Sequence, residues 1–240
     1  MRITLLAGDT LRARAYSQAL SMIISKDDEI SAVIYGVNKA ARKENIPVDS
    51  DTITFLKNSN LFVPNFNISL IETFINNEWK FLTIGNEDVN SEEVINALIQ
   101  LDSDIFVFAG FGGQLLKSEH FKTGRRYLHM HPGDLPSEKG STTIYYSILN
   151  RYACTVSSFY MVEKIDSGEL ILKCDYPVPS QKVNIDVWYD NCIRADAFLK
   201  TIIKLKEEGL DYSRSLNGKS EDYYVIHPLL KHFAILSLAD

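Results

Sequence analysis

Two apolar runs of strand length flank one helical stretch at the start of the chain, and this order limits the fold more than any other feature. RITLLAG (residues 2–8) reads as a buried strand ending at Gly8. Residues 9–26 follow with helical spacing, placing Leu11, Ala15, Ala19 or Leu20, and Ile23 on one face. ISAVIYG (residues 30–36) is a second apolar strand ending at Gly36. Strand, helix and strand in that order predict a βαβ unit and so a parallel sheet. Gly8 is followed by Asp9, Thr10 and Leu11, so no GxGxxG fingerprint opens here and a dinucleotide site is weakly supported. The 240 residues suffice for one large α/β domain, or for a domain with a small appendage.

Further elements follow the same alternation. FLTIG (81–85) is a third strand. Residues 91–104 open with Ser91 as N-cap, carry Glu92 and Glu93 in the first turn, and align Val94, Leu98 and Leu101. They lead into the apolar run IFVFAG (105–110), and a helical turn is expected within 113–121. A strand is predicted around Tyr127–His131 and a helix over 141–149. Residues 154–166 and 169–179 alternate apolar and polar, and with Asp166, Ser167 and Gly168 between them they read as a hairpin. A long amphipathic helix spans 184–208 and stops at Gly209. The region 37–80 is irregular. It holds Lys39, Arg42, Lys43 and Lys57, readable as a solvated face or as a phosphate or carboxylate contact. Residues 210–240 are too short for another domain and read as an arm, packed on the first domain or on a second subunit.

Composition excludes little but tilts the balance. Hydrophobic residues make up 45% and charged residues 23%, as in an ordinary globular protein. The net charge of −6 argues mildly against a nucleic-acid partner, which calls for a basic face. Cys154, Cys174 and Cys192 form no CxxC pair, so neither a disulfide framework nor a zinc knuckle is indicated. The N-terminus reads as a strand rather than a signal peptide. No apolar run approaches the roughly 18–20 residues of a membrane span, and the cytoplasm is the expected location.

The chemistry concentrates in YLHMHPGDLPSEKG (127–140). His129 and His131 are one residue apart at the end of a strand, so an extended backbone points both to one side. Asp166 lies at a later turn, in EKIDSGELIL (163–172). Two imidazoles and a carboxylate near strand ends are the parts of a proton-transfer site. HxH on a strand is also a usable metal pattern, but no third ligand stands in a matching motif, and no metal is expected. A metal-dependent hydrolase using His129, His131 and Asp166 stays as a third reading.

The stretches HMHPGDLPSEKG and KIDSGELI resemble the folate-dependent formyltransferases, whose motif is N-x-H-x-S-L-L-P, a short basic-Gly step, and a downstream D-x-G. That family includes glycinamide ribonucleotide transformylase, methionyl-tRNA formyltransferase and the sugar-nucleotide N-formyltransferases. The resemblance covers roughly residues 1–205. It implies a Rossmann-like fold: a mostly parallel sheet flanked by helices, here with a β-hairpin and a short C-terminal arm. It puts the family's catalytic histidine on His131, its aspartate on Asp166 and its asparagine on His129. The turn that lines the folate site falls on Gly133, Asp134, Leu135 and Pro136. FAGFGGQLL (108–116) resembles the strand and loop that wall the pterin pocket, which implies folate contacts at Phe108, Gly110, Phe111 and Gly112. The implied formyl donor is 10-formyltetrahydrofolate.

This sequence departs from the family at two places. His129 replaces a neutral amide with a group that titrates near pH 6.5, and Asp134 replaces an apolar leucine. The implied catalytic domain is 1–209, with 210–240 as its arm. The transfer-RNA enzymes carry a sizeable C-terminal domain after the catalytic one. Only about thirty residues follow the long helix here, so an amine on a nucleotide-linked sugar is the expected acceptor. An amino-acid or peptide amine is an alternative. So is a folate- or nucleotide-binding protein that has lost catalysis. Tyr145, Tyr146 and the tail aromatics could stack on a base or sugar, or serve as core or dimer contacts. The hairpin and the apolar tail could each support a homodimer.

Overall fold

A computed structural model describes residues 1–37, 46–47 and 49–239. The expected basic cluster at Lys39, Arg42 and Lys43 lies outside the described residues. The chain divides into two compact units, residues 1–47 with 64–129, and 48–63 with 130–240.

The first unit is built on parallel strands. β1 (Arg2–Ala7) pairs in parallel with β2 (Glu29–Tyr35), with Leu5 opposite Ala32. β2 pairs in parallel with β3 (Lys80–Ile84), and β1 with β4 (Ile105–Ala109). β4 in turn takes β5 (Tyr127–His131), through Phe106 opposite Tyr127 and Val107 opposite Leu128. Central strands covered on both faces read as continuous apolar runs, and Ile3, Leu5, Leu6, Ile105, Phe106 and Val107 are all fully buried.

The helix after β1 is shorter than its apolar spacing predicts. α1 (Leu11–Leu20) is capped by Thr10, whose side chain accepts from the Ala13 N–H, and it ends at Ser21. Asp28 ties down the turn that follows. Its carboxylate accepts from the Ser25 N–H at 2.7 Å and from the N-terminal ammonium at 3.1 Å. These side-chain bonds offer the backbone an alternative to further helix. α2 (Ser50–Asn58) belongs to the second unit, and α3 (Leu70–Asn76) to the first, where a reciprocal Ser69–Glu72 capping box opens it. α4 (Glu92–Gln100) begins at Ser91, as its sequence requires. The helical turn expected in 113–121 is α5 (Ser118–Lys122).

In the second unit, β6 (Glu138–Gly140) follows the His-Pro-Gly turn and precedes α6 (Thr143–Arg151). β7 (Cys154–Tyr160) and β8 (Leu170–Tyr176) are antiparallel, with Val156 opposite Cys174. They are joined by residues 161–169 rather than by a tight turn at 166–168, because Asp166 folds back inward with a left-handed φ of 46°. In this unit β7 lies beside the end of β5, and β8 beside β7. The long helix predicted over 184–208 starts with a π-helical turn (Ile185–Tyr189), capped by Asn184, and continues as α7 (Asp190–Glu208). Gly209 closes it at φ 93°.

The last thirty residues hold two elements that periodicity did not suggest. β9 (Glu221–Tyr223) pairs in parallel with β6 in a separate two-stranded sheet, and α8 (Pro228–Leu236) follows with Pro at its first position. No helix among the described residues is long and apolar enough to cross a membrane.

Candidate functional site

β5 ends at His131, and the Pro132-Gly133 step turns the chain out of the sheet. The ring is 2% exposed. Its Nε2 stands 2.6 Å from the main-chain carbonyl of Glu138 and 3.4 Å from the Thr143 hydroxyl, which itself donates to the Pro132 carbonyl at 2.8 Å. A carbonyl only accepts, so Nε2 carries the proton. The other nitrogen, Nδ1, lies 3.4 Å from Asp166 Oδ2. Burial pushes the His131 pKa below the usual histidine value, against the Asp166 carboxylate and the Glu138 carbonyl, which favour the charged ring; Arg194 on α7 adds to the lowering. The ring is therefore neutral near pH 7, with its lone pair at Nδ1.

Asp166 is also buried, and its Oδ2 accepts the Gly140 N–H at 2.7 Å. Gly168, two residues on, is pressed against the Tyr160 carbonyl; a Cβ there would lie 1.6 Å from that oxygen. Ser167 accepts from Lys139 Nζ at 2.7 Å. Together these contacts fasten the D-x-G segment to β6 and hold the carboxylate toward Nδ1.

The turn after His131 is closed on its own chain. The Ser157 hydroxyl donates to the Gly133 carbonyl at 2.7 Å and accepts from the Leu135 N–H at 3.1 Å. Gly133 has no room for a side chain, since a Cβ would meet His131 Nε2 at 2.7 Å and the Glu138 carbonyl at 2.9 Å. Leu135 is fully buried and Pro136 half-buried. Asp134 is half-buried. It pairs with Lys173 of β8 and lies 3.9 Å from Arg151 of α6.

The other residues of interest lie in the first unit. His129 is half-buried, with its ring centroid 6.0 Å from that of Phe108. Phe108 and Gly110 are buried, Phe111 half-buried and Gly112 exposed. A Cβ on Gly110 would strike the Tyr35 hydroxyl at 2.2 Å, and the Phe111 ring occupies the space a Cβ would need on Gly8 or Gly36. The Tyr35 hydroxyl donates to Gln114 at 2.6 Å and accepts the Phe111 N–H at 3.2 Å, which holds the 110–114 loop; burial raises its pKa to about 12.

The structure thus brings His131, Asp166 and the 133–136 turn into direct contact. It also reveals Glu138, Thr143, Lys139 and Ser167 as their partners, which the sequence motif did not single out. Tyr145 donates to Asp186 at 2.6 Å, and Tyr146 stacks with Tyr223 at 4.6 Å between centroids. Among the described residues, no three His, Cys, Asp or Glu side chains form a group that could hold a metal ion. All three cysteines are buried free thiols.

No protein-family model matches the chain. Among curated proteins it is similar to the methionyl-tRNA formyltransferase of Bacillus velezensis, 34% identical over 116 residues, which is 47% of this chain and 36% of that protein. It is also similar to that of Rickettsia bellii, 24% identical over 141 residues, 53% of this chain and 45% of that protein. The chain covers less than half the length of these relatives. Among solved structures, a sugar N-formyltransferase from a Shewanella species aligns over 99% of this chain and 87% of its own, with a TM-score of 0.59 and 16% identity. An N-formyltransferase from Helicobacter canadensis, in complex with folinic acid and dTDP-3-aminofucose, aligns over 93% of this chain and 71% of its own, with a TM-score of 0.57 and 21% identity.

Proposed function

We propose that this chain, a relative of the formyltransferases that shares their fold, moves a formyl group from 10-formyltetrahydrofolate to a primary amine. The observation that carries the reading is the buried contact between His131 and Asp166 at the end of a central strand. In the transfer, the amine nitrogen attacks the formyl carbon and the carbonyl electrons move onto oxygen. The resulting intermediate holds a surplus proton on the attacking nitrogen. Its collapse breaks the bond from carbon to N10 of the folate, and N10 leaves with that electron pair and takes up a proton. The net change is one proton moved from the amine to N10, so the chain must accept a proton and give it back. Asp166 and the Nδ1 lone pair of His131 form that relay.

The oxyanion needs a hydrogen-bond donor of its own. The Nε2 proton of His131 is held by the Glu138 carbonyl, so His129 is assigned this role, in place of the family amide. The turn Gly133–Pro136 and the Phe108, Gly110, Phe111 and Gly112 segment are assigned to the folate.

The acceptor is the amine of a nucleotide-linked amino sugar. Support comes from the amino-sugar nucleotide bound by the Helicobacter neighbour and from a net charge of −6, unsuited to gripping transfer RNA. Residues 1–209 act as the catalytic domain and 210–240 as its arm, in the cytoplasm. The second reading is a folate- or nucleotide-binding protein without turnover, and the imidazole at position 129 is what favours it.

The test is to add 10-formyltetrahydrofolate and a panel of nucleotide-linked amino sugars, amino acids and peptides, and to follow tetrahydrofolate release. Release with an amino-sugar nucleotide supports the assignment, and release only with an amino acid or peptide moves the acceptor. Folate binding without release under any acceptor favours the second reading.

A further inference from the structure

Glu138 is a carboxylate that is 2% exposed. A buried charge is costly unless it is paired and hydrogen-bonded, and this one is. Arg151 of α6 donates to it twice, from Nε at 2.9 Å and from a terminal nitrogen at 3.1 Å. The Asp134 N–H donates at 2.9 Å, and the Ser147 hydroxyl of α6 donates to the same oxygen. The side chain is therefore fixed to α6 on one side and to the turn on the other. Its main-chain carbonyl, on the same residue, is the group that accepts from His131 Nε2 at 2.6 Å.

We infer that Glu138 is a positioning residue: its clamped side chain holds the carbonyl that fixes His131 as the Nε2–H tautomer, which leaves Nδ1, beside Asp166, as the nitrogen that exchanges the proton. Without the clamp, the alternative Nδ1–H tautomer is the better one for the ring, because it would donate to the Asp166 carboxylate 3.4 Å away. That tautomer has no lone pair facing Asp166 and cannot take up a proton there. The proton step rests on the formyl-transfer reading, but the tautomer does not. The charged groups that bear on the ring are Asp166 from the β7–β8 connection, Glu138 on β6, and Arg194 from α7.

The test is nitrogen-15 NMR of the full chain labelled in histidine, reading which ring nitrogen of His131 is protonated and where the ring titrates. The wild type is expected to show Nε2–H and a midpoint below the usual histidine value. Glu138→Gln and Arg151→Met are expected to shift the ring toward Nδ1–H. In both, kcat should fall at least tenfold with KM little changed, and Arg151→Lys should recover part of the loss. Nδ1–H in the wild type overturns the inference even if every variant fails to fold. An unchanged tautomer and midpoint in folded Glu138→Gln and Arg151→Met also overturn it. A tautomer shift in a protein that transfers formyl to no acceptor upholds the positioning and removes the proposed function.

Discussion

His131 has both ring nitrogens turned toward acceptors, a carbonyl at 2.6 Å and a carboxylate at 3.4 Å. Burial lowers the ring's affinity for a second proton, against the pull of the Asp166 carboxylate. Asp166→Asn removes the charge that shares that proton, and kcat is expected to fall by about 10²–10⁴-fold, the range of general acid–base contributions. On the proposed relay transfer needs neutral His131, so the rate should fall as pH drops through the ring's depressed pKa. The Asp166 carboxylate favours the protonated ring, so Asp166→Asn should move this acid limb to lower pH; a limb that moves up contradicts the assignment, and a pH–rate profile decides. His129 gives a separate check. His129→Asn restores the family amide and should keep formyl transfer, whereas His129→Leu should lose about 10²–10³-fold, as when an oxyanion donor is removed.

At the scale of elements, β6 is the hinge of the arrangement. Its three residues supply the His131-facing carbonyl, a lysine on Ser167, and the Gly140 N–H on Asp166. β9 pairs along it, and Gly140 sits at φ 105° where a Cβ would lie 2.0 Å from the Tyr223 carbonyl. Gly140→Ala should therefore force β9 from β6 and weaken the Asp166 contact in one step. Faster amide exchange at Tyr223 together with lost turnover would bear this out. Gly168→Ala strikes the Tyr160 carbonyl instead. Overpacking of this kind costs about 1–3 kcal/mol, or several degrees in Tm, and a thermal melt reads it.

At the scale of the whole molecule, two buried histidines set a pH dependence of stability. Burial lowers the pKa of His131 and of His120, whose ring bonds the Val89 carbonyl and the Tyr127 hydroxyl. A histidine with a lowered folded-state pKa binds more protons when unfolded. Its neutral form contributes stability that is fully present above the unfolded value of 6.5 and is lost as pH falls from there toward the folded pKa. Tm should therefore drop between pH 7.5 and pH 5.5, before the lowered carboxylates Asp49 and Asp104 titrate. A flat Tm over that range would contradict the burial argument.

The sequence by itself determined the parallel core. Continuous apolar runs at β1, β2 and β4, with a helical stretch between the first two, call for a helix-connected sheet covered on both faces. It also placed His131 and Asp166 as candidates, because a motif of histidine, turn and distant aspartate is carried by residue identity and spacing. Tertiary structure alone decided what those two side chains touch. The Nε2 partner is a main-chain carbonyl, which every residue possesses, so no residue type could mark Glu138 in advance. The side-chain anchors of that residue, Ser147 and Arg151, lie one turn apart on α6, and the strand that pairs along it, β9, comes from the far end of the chain. They meet only when the chain satisfies its buried polar groups in three dimensions.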